Sequence, residues 1–366
     1  MKRGCSCGAV GVEEKTKSLD VAVIEGDGIG PEIVAEALRV LKATAELHKI
    51  SLEFVDAPAG GIAYKKFGTT LPAESLEKCR KADVVIKGPV GLPDLPQGLV
   101  EREVVLGLRQ ELNLFVNLRP IKLYECLREQ SPLKDRVIGK GIDYVIVREN
   151  SEGLYSKKGK VSEKKAYDLN LYSKKGVDRI INYAFELAKK SGKTKVTSVD
   201  KANVLLASKF WRERFNEIAK AHPQIKTESL YIDAMAQYQV RWPSSYEVVV
   251  TDNMFGDILS DLGAETAGSL GMGGSVNLKP RGVAMAEAIH GSAPDIAGKG
   301  IANPIGIILG VEYALAEKGF AKAAGAIEGA VTQALNDGIR TKDIAPKDAS
   351  FASTQKMGGE IANRIV

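Results

Sequence analysis

Short apolar runs alternate with amphipathic stretches along most of the chain. Leu19-Asp20-Val21-Ala22-Val23-Ile24 predicts a buried strand. A glycine turn, Gly26-Asp27-Gly28-Ile29-Gly30-Pro31-Glu32, follows it and leads into a helix over Ile33 to Leu47, with Pro31 suited to the first turn. Val84 to Ile86, Asp143 to Val147, Lys195 to Val199 and Val248 to Val250 predict further strands. Helical spacing marks Val177 to Lys190, Lys209 to Ala221, 324–338 and 355–366. Strands alternating with helices predict an α/β fold with a mostly parallel central sheet and flanking helices. Residues 1–18 read as an irregular N-terminal extension. Gly268 to Gly274 is the one stretch that suits a hinge.

Composition narrows the class. The chain has 366 residues, 44% hydrophobic and 27% charged, enough for one large or two ordinary globular domains. No apolar run approaches the length of a membrane span. The net charge of +5 is spread too thinly to argue for nucleic acid or a membrane surface. Four cysteines (Cys5, Cys7, Cys79 and Cys126) make no disulfide framework, and no secretory pattern opens the chain, so a cytoplasmic protein is expected.

Several constellations could carry chemistry. The glycine turn has Pro31 where a dinucleotide fingerprint needs its last glycine, and no Walker lysine follows; it serves either a tight turn or a ligand. Asp257 and Asp261 lie four apart, so a helix would set both carboxylates on one face, as a solvated surface or as hard ligands for Mg²⁺ or Mn²⁺. Arg109, Arg119 and Arg148 each follow an apolar stretch. Each could be a surface ion pair; together they suit a substrate with several carboxylates. Histidine is nearly absent, so a lysine or a tyrosine is the expected proton carrier, with Lys201 and Tyr155 the candidates by position.

The segments Gly26 to Glu32, Leu108 to Pro120, Val147 to Tyr155, Ser198 to Leu205, Asn253 to Asp261 and His290 to Pro304 together resemble the β-decarboxylating dehydrogenases. That family acts on 3-isopropylmalate, isocitrate, homoisocitrate, and D-malate or tartrate. The resemblance covers roughly 19–366. It implies a two-domain fold of the isopropylmalate dehydrogenase type, distinct from a Rossmann fold. One domain would be built from both chain ends (19–115 with 268–366), and a central domain (116–267) would carry the dimer contacts. It implies that Arg109, Arg119 and Arg148 hold substrate carboxylates and that Asp233, Asp257 and Asp261 hold the metal. Lys201 would take the hydroxyl proton and Tyr155 would reprotonate carbon. The lysine and one aspartate would enter from the neighbouring subunit of a homodimer. Glu287, His290, Gly291, Ser292, Asp295 and Asn303 would contact NAD, and a carboxylate at Asp295 suits free ribose hydroxyls.

The variable part of the substrate is read at residues 102–106. Val105 and Leu106 give an apolar surface for an alkyl group, while Glu103 replaces the serine of tricarboxylate enzymes and would oppose a third carboxylate if it faced the site. Leu92 and the Tyr-Ser-Lys-Lys-Gly run from Tyr155 resemble D-malate and tartrate enzymes. The expected reaction is oxidative decarboxylation of 3-isopropylmalate, with D-malate or tartrate and then the tricarboxylates as alternatives. A non-catalytic regulatory subunit of the same fold is a different class, and such chains typically lose a residue that this one keeps.

Overall fold

The structure, a computed structural model, describes residues 17–366; the Cys5/Cys7 leader lies outside them. The strands are β1 (Lys17–Ile24), β2 (Ile50–Asp56), β3 (Val84–Lys87), β4 (Val116–Lys122), β5 (Asp143–Glu149), β6 (Gly159–Val161), β7 (Ala166–Asp168), β8 (Lys195–Asp200), β9 (Lys226–Tyr231), β10 (Val248–Thr251), β11 (Gly274–Leu278) and β12 (Ala284–Ala288). The helices are α1 (Gly30–His48), α2 (Gly61–Phe67), α3 (Ala73–Lys81), α4 (Leu106–Glu111), α5 (Asp135–Ile138), α6 (Lys174–Lys190), α7 (Leu206–Ala219), α8 (Ile232–Arg241), α9 (Asn253–Thr266), α10 (Ile305–Glu317), α11 (Ala321–Asn336) and α12 (Thr354–Ala362). The strands and helices expected from periodicity are present, with ends shifted by a few residues. Closing helix 355–366 stops at Ala362.

Among the described residues, ten strands form one sheet in the order β2-β1-β3-β12-β11-β4-β5-β10-β8-β9. Both wings are parallel, and antiparallel pairings join them at β12-β11, β11-β4 and β4-β5. One wing comes from both chain ends and the other from residues 116–251. The inner parallel strands β3, β8 and β10 are buried on both faces, which explains unbroken apolar runs such as Val84 to Ile86, while the edge strands β2 and β9 are exposed or half-buried over most of their length. In β1, Leu19, Val21 and Val23 pack into the larger core, and Ala22 and Ile24 into a smaller one. Helices α1, α10, α11 and α12 pack together beside one wing, and α6 and α7 cover the other.

The turn after β1 is a structural junction. Gly28 has φ +58, and a Cβ there would lie 2.0 Å from the Ser292 carbonyl oxygen, so only glycine fits. Asp27, fully buried in the turn, accepts hydrogen bonds from the amides of Gly61, Ile62 and Gly91 at 2.7–2.8 Å. The turn binds other parts of the protein. Gly268 to Gly274 is likewise a packed turn: a Cβ on Gly273 would overlap Ile289, and one on Gly274 would overlap the Gly306 carbonyl.

Candidate active site

Where the two wings meet, a cleft of about 350 Å³ gathers the arginines foreseen from the sequence. Arg119 sits within β4, Arg148 near the end of β5 and Arg109 on α4. Tyr155 comes from a short 3-10 turn, Gly153–Ser156, and Asp257 and Asp261 from the first turns of α9. Asp252 caps that helix by accepting from the Phe255 amide at 2.8 Å, and burial pushes its carboxyl up to about 7. Gly256 lets α9 approach β5: a Cβ there would lie 2.6 Å from Arg148 Cγ.

Asp257 is the focus of the cleft. Its Oδ1 lies 3.0 Å from Arg119 Nη1 and 3.1 Å from Arg148 Nη1, and its Oδ2 accepts from the Tyr155 hydroxyl at 3.0 Å. Burial pushes its carboxyl upward, but Arg148, Arg119 and Arg109 outweigh that and hold it below the usual range. Asp261 is shifted the other way, by burial and by the neighbouring Asp257 charge, against Arg119. Burial, reinforced by Asp257, raises the Tyr155 phenol, so it is a neutral acid at ordinary pH. Arg148 is wholly enclosed. Burial and then Arg119 bring its guanidinium down to about 9; Nη1 has only the Asp257 ion pair and Nη2 has no acceptor. Five cationic side chains line the cleft against three acidic ones, an excess of two positive charges that suits a dianion.

A buried ion pair forms the opposite wall. Glu287 on β12 meets Lys87 at 2.9 Å and Arg109 at 3.0 Å. Burial alone would raise Glu287; Lys87, Arg109 and Asn277 hold it well below the usual carboxylate range. Lys87 was not among the expected site residues. Its signal was its place at the end of the Val84-Val85-Ile86 run, the same position that marks Arg148.

Beside this cleft lies a larger one of about 750 Å³. His290, Gly291 and Asn303 line it as expected, and Ser292 lines a neighbouring recess. Asp295 is exposed on the loop after Ser292 and lines neither cleft. The charged groups that do line the larger cleft are Glu265, Lys342 and Asp343. Asp343 accepts from Ser269 at 2.6 Å and from Asn303 at 3.0 Å.

At the mouth of the first cleft, Val105 and Leu106 line the wall, together with Glu101 and Arg102. Glu103 does not: it accepts a hydrogen bond from Thr70 at 2.6 Å, so it cannot oppose a substrate carboxylate. The cause is a π-helical turn over Glu101–Val105, which rotates the side chains from their α-helical positions. Arg102 has no ion pair among the described residues.

Lys201 and Asp233 stand apart from Tyr155 and Asp257. They pair with each other at the ends of β8 and β9, and neither lines the cleft. Among the described residues no three acidic, histidine or cysteine side chains converge as a metal site, so the expected aspartate set is not assembled within one chain.

Comparison with known proteins assigns the fold and cleft to a class. Residues 20–361 match the isocitrate/isopropylmalate dehydrogenase family. The chain belongs to that family. A 3-isopropylmalate dehydrogenase of Clostridium acetobutylicum is 44% identical over 351 residues, covering 93% of this chain and 98% of that protein. Among solved structures, isocitrate dehydrogenase of Methylococcus capsulatus superposes with a TM-score of 0.85 at 38% identity, over 95% of this chain and 99% of that one. The apo β-decarboxylating dehydrogenase of Thermococcus kodakarensis gives 0.78 at 38% identity, over 95% and 96%.

Proposed function

We propose that the protein is a 3-isopropylmalate dehydrogenase that oxidises and decarboxylates its substrate with NAD⁺ and a divalent metal. The observation that carries this reading is the cleft itself: Arg109, Arg119, Arg148, Tyr155 and Asp257 around a net positive space, with Val105 and Leu106 on its wall. Relatives bearing that name and 44% identical over 93–95% of the chain support the substrate. The arginines bind the two carboxylates, and Val105 with Leu106 receives the alkyl group.

The residues suit a Mg²⁺ or Mn²⁺ ion. Asp257 and Asp261 present hard oxygens from one helix face. Asp233 of a second copy would complete the set. When bound, the ion supplies Lewis-acid stabilisation of charge on the substrate oxygen. NAD⁺, when bound, would supply the hydride acceptor for oxidation of the 2-hydroxyl, and Lys201 of the second copy would take the hydroxyl proton. The carbon–carboxylate bond then breaks, CO₂ leaves, and the Tyr155 hydroxyl delivers a proton to the enol carbon.

A homodimer follows from the same reading. In that reading, Lys201 and Asp233 of a second copy meet Tyr155 and Asp257 of the first. Exposed apolar side chains surround both places: Val204, Leu205 and Leu206 beside Lys201, and Ile258 beside Asp257. The larger cleft takes the adenosine half of NAD, with Glu265 and Asp343 disfavouring a 2′-phosphate.

Arg102 favours a second reading, in which the substrate substituent carries a further carboxylate, as in isocitrate. The test is NADH formation with Mg²⁺ or Mn²⁺ from 3-isopropylmalate, isocitrate, homoisocitrate and D-malate, repeated with NADP⁺. The first reading predicts that 3-isopropylmalate with NAD⁺ leads by about tenfold or more in kcat/KM, a gap of about 1.4 kcal/mol. A lead for isocitrate or homoisocitrate would transfer the assignment to Arg102, and a lead for NADP⁺ would overturn the cofactor reading.

A further inference from the structure

Strand β4 carries Asn117 two residues before Arg119, so both side chains lie on one face. The neighbouring strand β11 carries Ser275 and Asn277, and β12 carries Glu287 opposite Ser275. All five are buried, and their polar atoms form one continuous chain across the three strands. Arg119 Nε donates to Asn117 Oδ1 at 2.8 Å, and Asn117 Nδ2 donates to Ser275 Oγ at 3.1 Å. Ser275 Oγ donates to Glu287 Oε1 at 3.5 Å, and that oxygen also accepts from Arg109 Nη2 at 3.0 Å and Asn277 Nδ2 at 2.6 Å. Two guanidinium groups on separate elements are thus tied through an amide, a hydroxyl and a carboxylate.

The polarity of the chain is fixed. An arginine can only donate, so Asn117 must turn its oxygen to Arg119 and its nitrogen to Ser275; a carboxylate can only accept, so the Ser275 proton must point to Glu287. Buried polar atoms that lose such partners cost more than the bond was worth, which makes the chain resist any change in the arginine spacing. None of Asn117, Ser275 or Asn277 lines the cleft, so none of them is needed to touch a substrate.

We propose that Asn117 and Ser275 are positioning residues that set the distance and orientation of Arg109 and Arg119 for a substrate with two carboxylates. The inference rests on the carboxylate-binding reading of those arginines given above. Ser275→Ala removes two links, to Asn117 and to Glu287, with little change of volume, and Asn117→Ala removes two, to Arg119 and to Ser275. Each is expected to raise KM for 3-isopropylmalate about threefold to tenfold, with kcat and KM for NAD⁺ held within about twofold. Arg109→Lys is the control: if it leaves the 3-isopropylmalate KM unchanged, the carboxylate reading itself fails. If Arg109→Lys raises that KM and Ser275→Ala does not, the positioning role is overturned while the carboxylate reading stands. A Ser275→Ala enzyme in which both KM values and the thermal midpoint deteriorate together also overturns it, because that is a general packing defect. In the double variant Arg109→Lys/Ser275→Ala the effects should be less than multiplicative, and full multiplication would count against the proposal.

Discussion

Arg148 holds a positive charge where water cannot reach it, and the rest of the cleft is arranged around that fact. Its guanidinium stands 5.2 Å from the Tyr155 ring and 3.1 Å from Asp257, so a tyrosine, a carboxylate and a fixed cation meet at one point. The Tyr155 phenol is kept protonated there by burial and the Asp257 charge. Tyr155→Phe should therefore lower kcat by about 10²–10⁴ while substrate KM changes little, measured by steady-state NADH formation. A second titrating residue acts on stability instead. Glu312 on α10 is buried, with one carboxylate oxygen unpartnered, beside Glu328, Lys122, Tyr124 and Tyr313. Burial and then Glu328 raise it to about 8 against the pull of Lys122. The folded protein keeps a proton that the unfolded chain releases from its ordinary 4.5 upward, so stability falls as pH rises through that window. Glu312→Gln should flatten this slope, which is on the order of 1 kcal/mol per pH unit, in thermal unfolding followed between about pH 5 and 8.

The connection from β10 to α9 depends on Gly256. Gly256→Ala drives a methyl group into the Arg148 side chain, 2.6 Å from Cγ and 3.0 Å from Cβ, close to its root on the strand. The expected outcome is a folded protein with at least about tenfold lower kcat/KM, with circular dichroism unchanged. The inner strands β1, β3, β5, β8 and β10 were legible from apolar runs such as Val248 to Val250; the parallel edge strands β2 and β9, mostly exposed or half-buried, leave no such run. The antiparallel strands β11 and β12 were not legible either. Gly-Ser-Val-Asn-Leu in β11 and Ala-Met-Ala-Glu-Ala in β12 carry polar residues that pattern alone assigns to solvent, yet Ser275, Asn277 and Glu287 are buried and satisfied by one another. The π-helical turn over Glu101–Val105 hid the facing of Glu103 for a similar reason, since helical spacing assumes an α-helical period. Arg148, Tyr155, Asp257 and Asp261 were legible from motif and spacing; Lys87 and Arg102 needed the fold to place them.

At the scale of the whole molecule, the proposed sharing of the site between two copies makes a definite demand on assembly. Tyr155→Phe and Lys201→Ala disable different halves of each site, so each homodimer should be inactive. Mixed dimers made by refolding the two together should regain activity, toward about one quarter of wild type for random pairing. No recovery, with mixed dimers present by mass spectrometry, would refute the shared site. The β6–β7 ribbon fits that picture: it is a two-stranded sheet with Val161 80% exposed, an arrangement that is marginal without a covering surface.

The order of the sheet also has a consequence for synthesis. Strand β3 is made early, but its inner neighbour β12 begins at Ala284, after the whole central segment. At about 5–20 residues per second, a ribosome leaves that apolar edge uncovered for roughly 10–40 s. The first wing is thus built first and closed last. Its nascent form is a template for foreign strands, and a chaperone that caps extended apolar edges would have its natural client there.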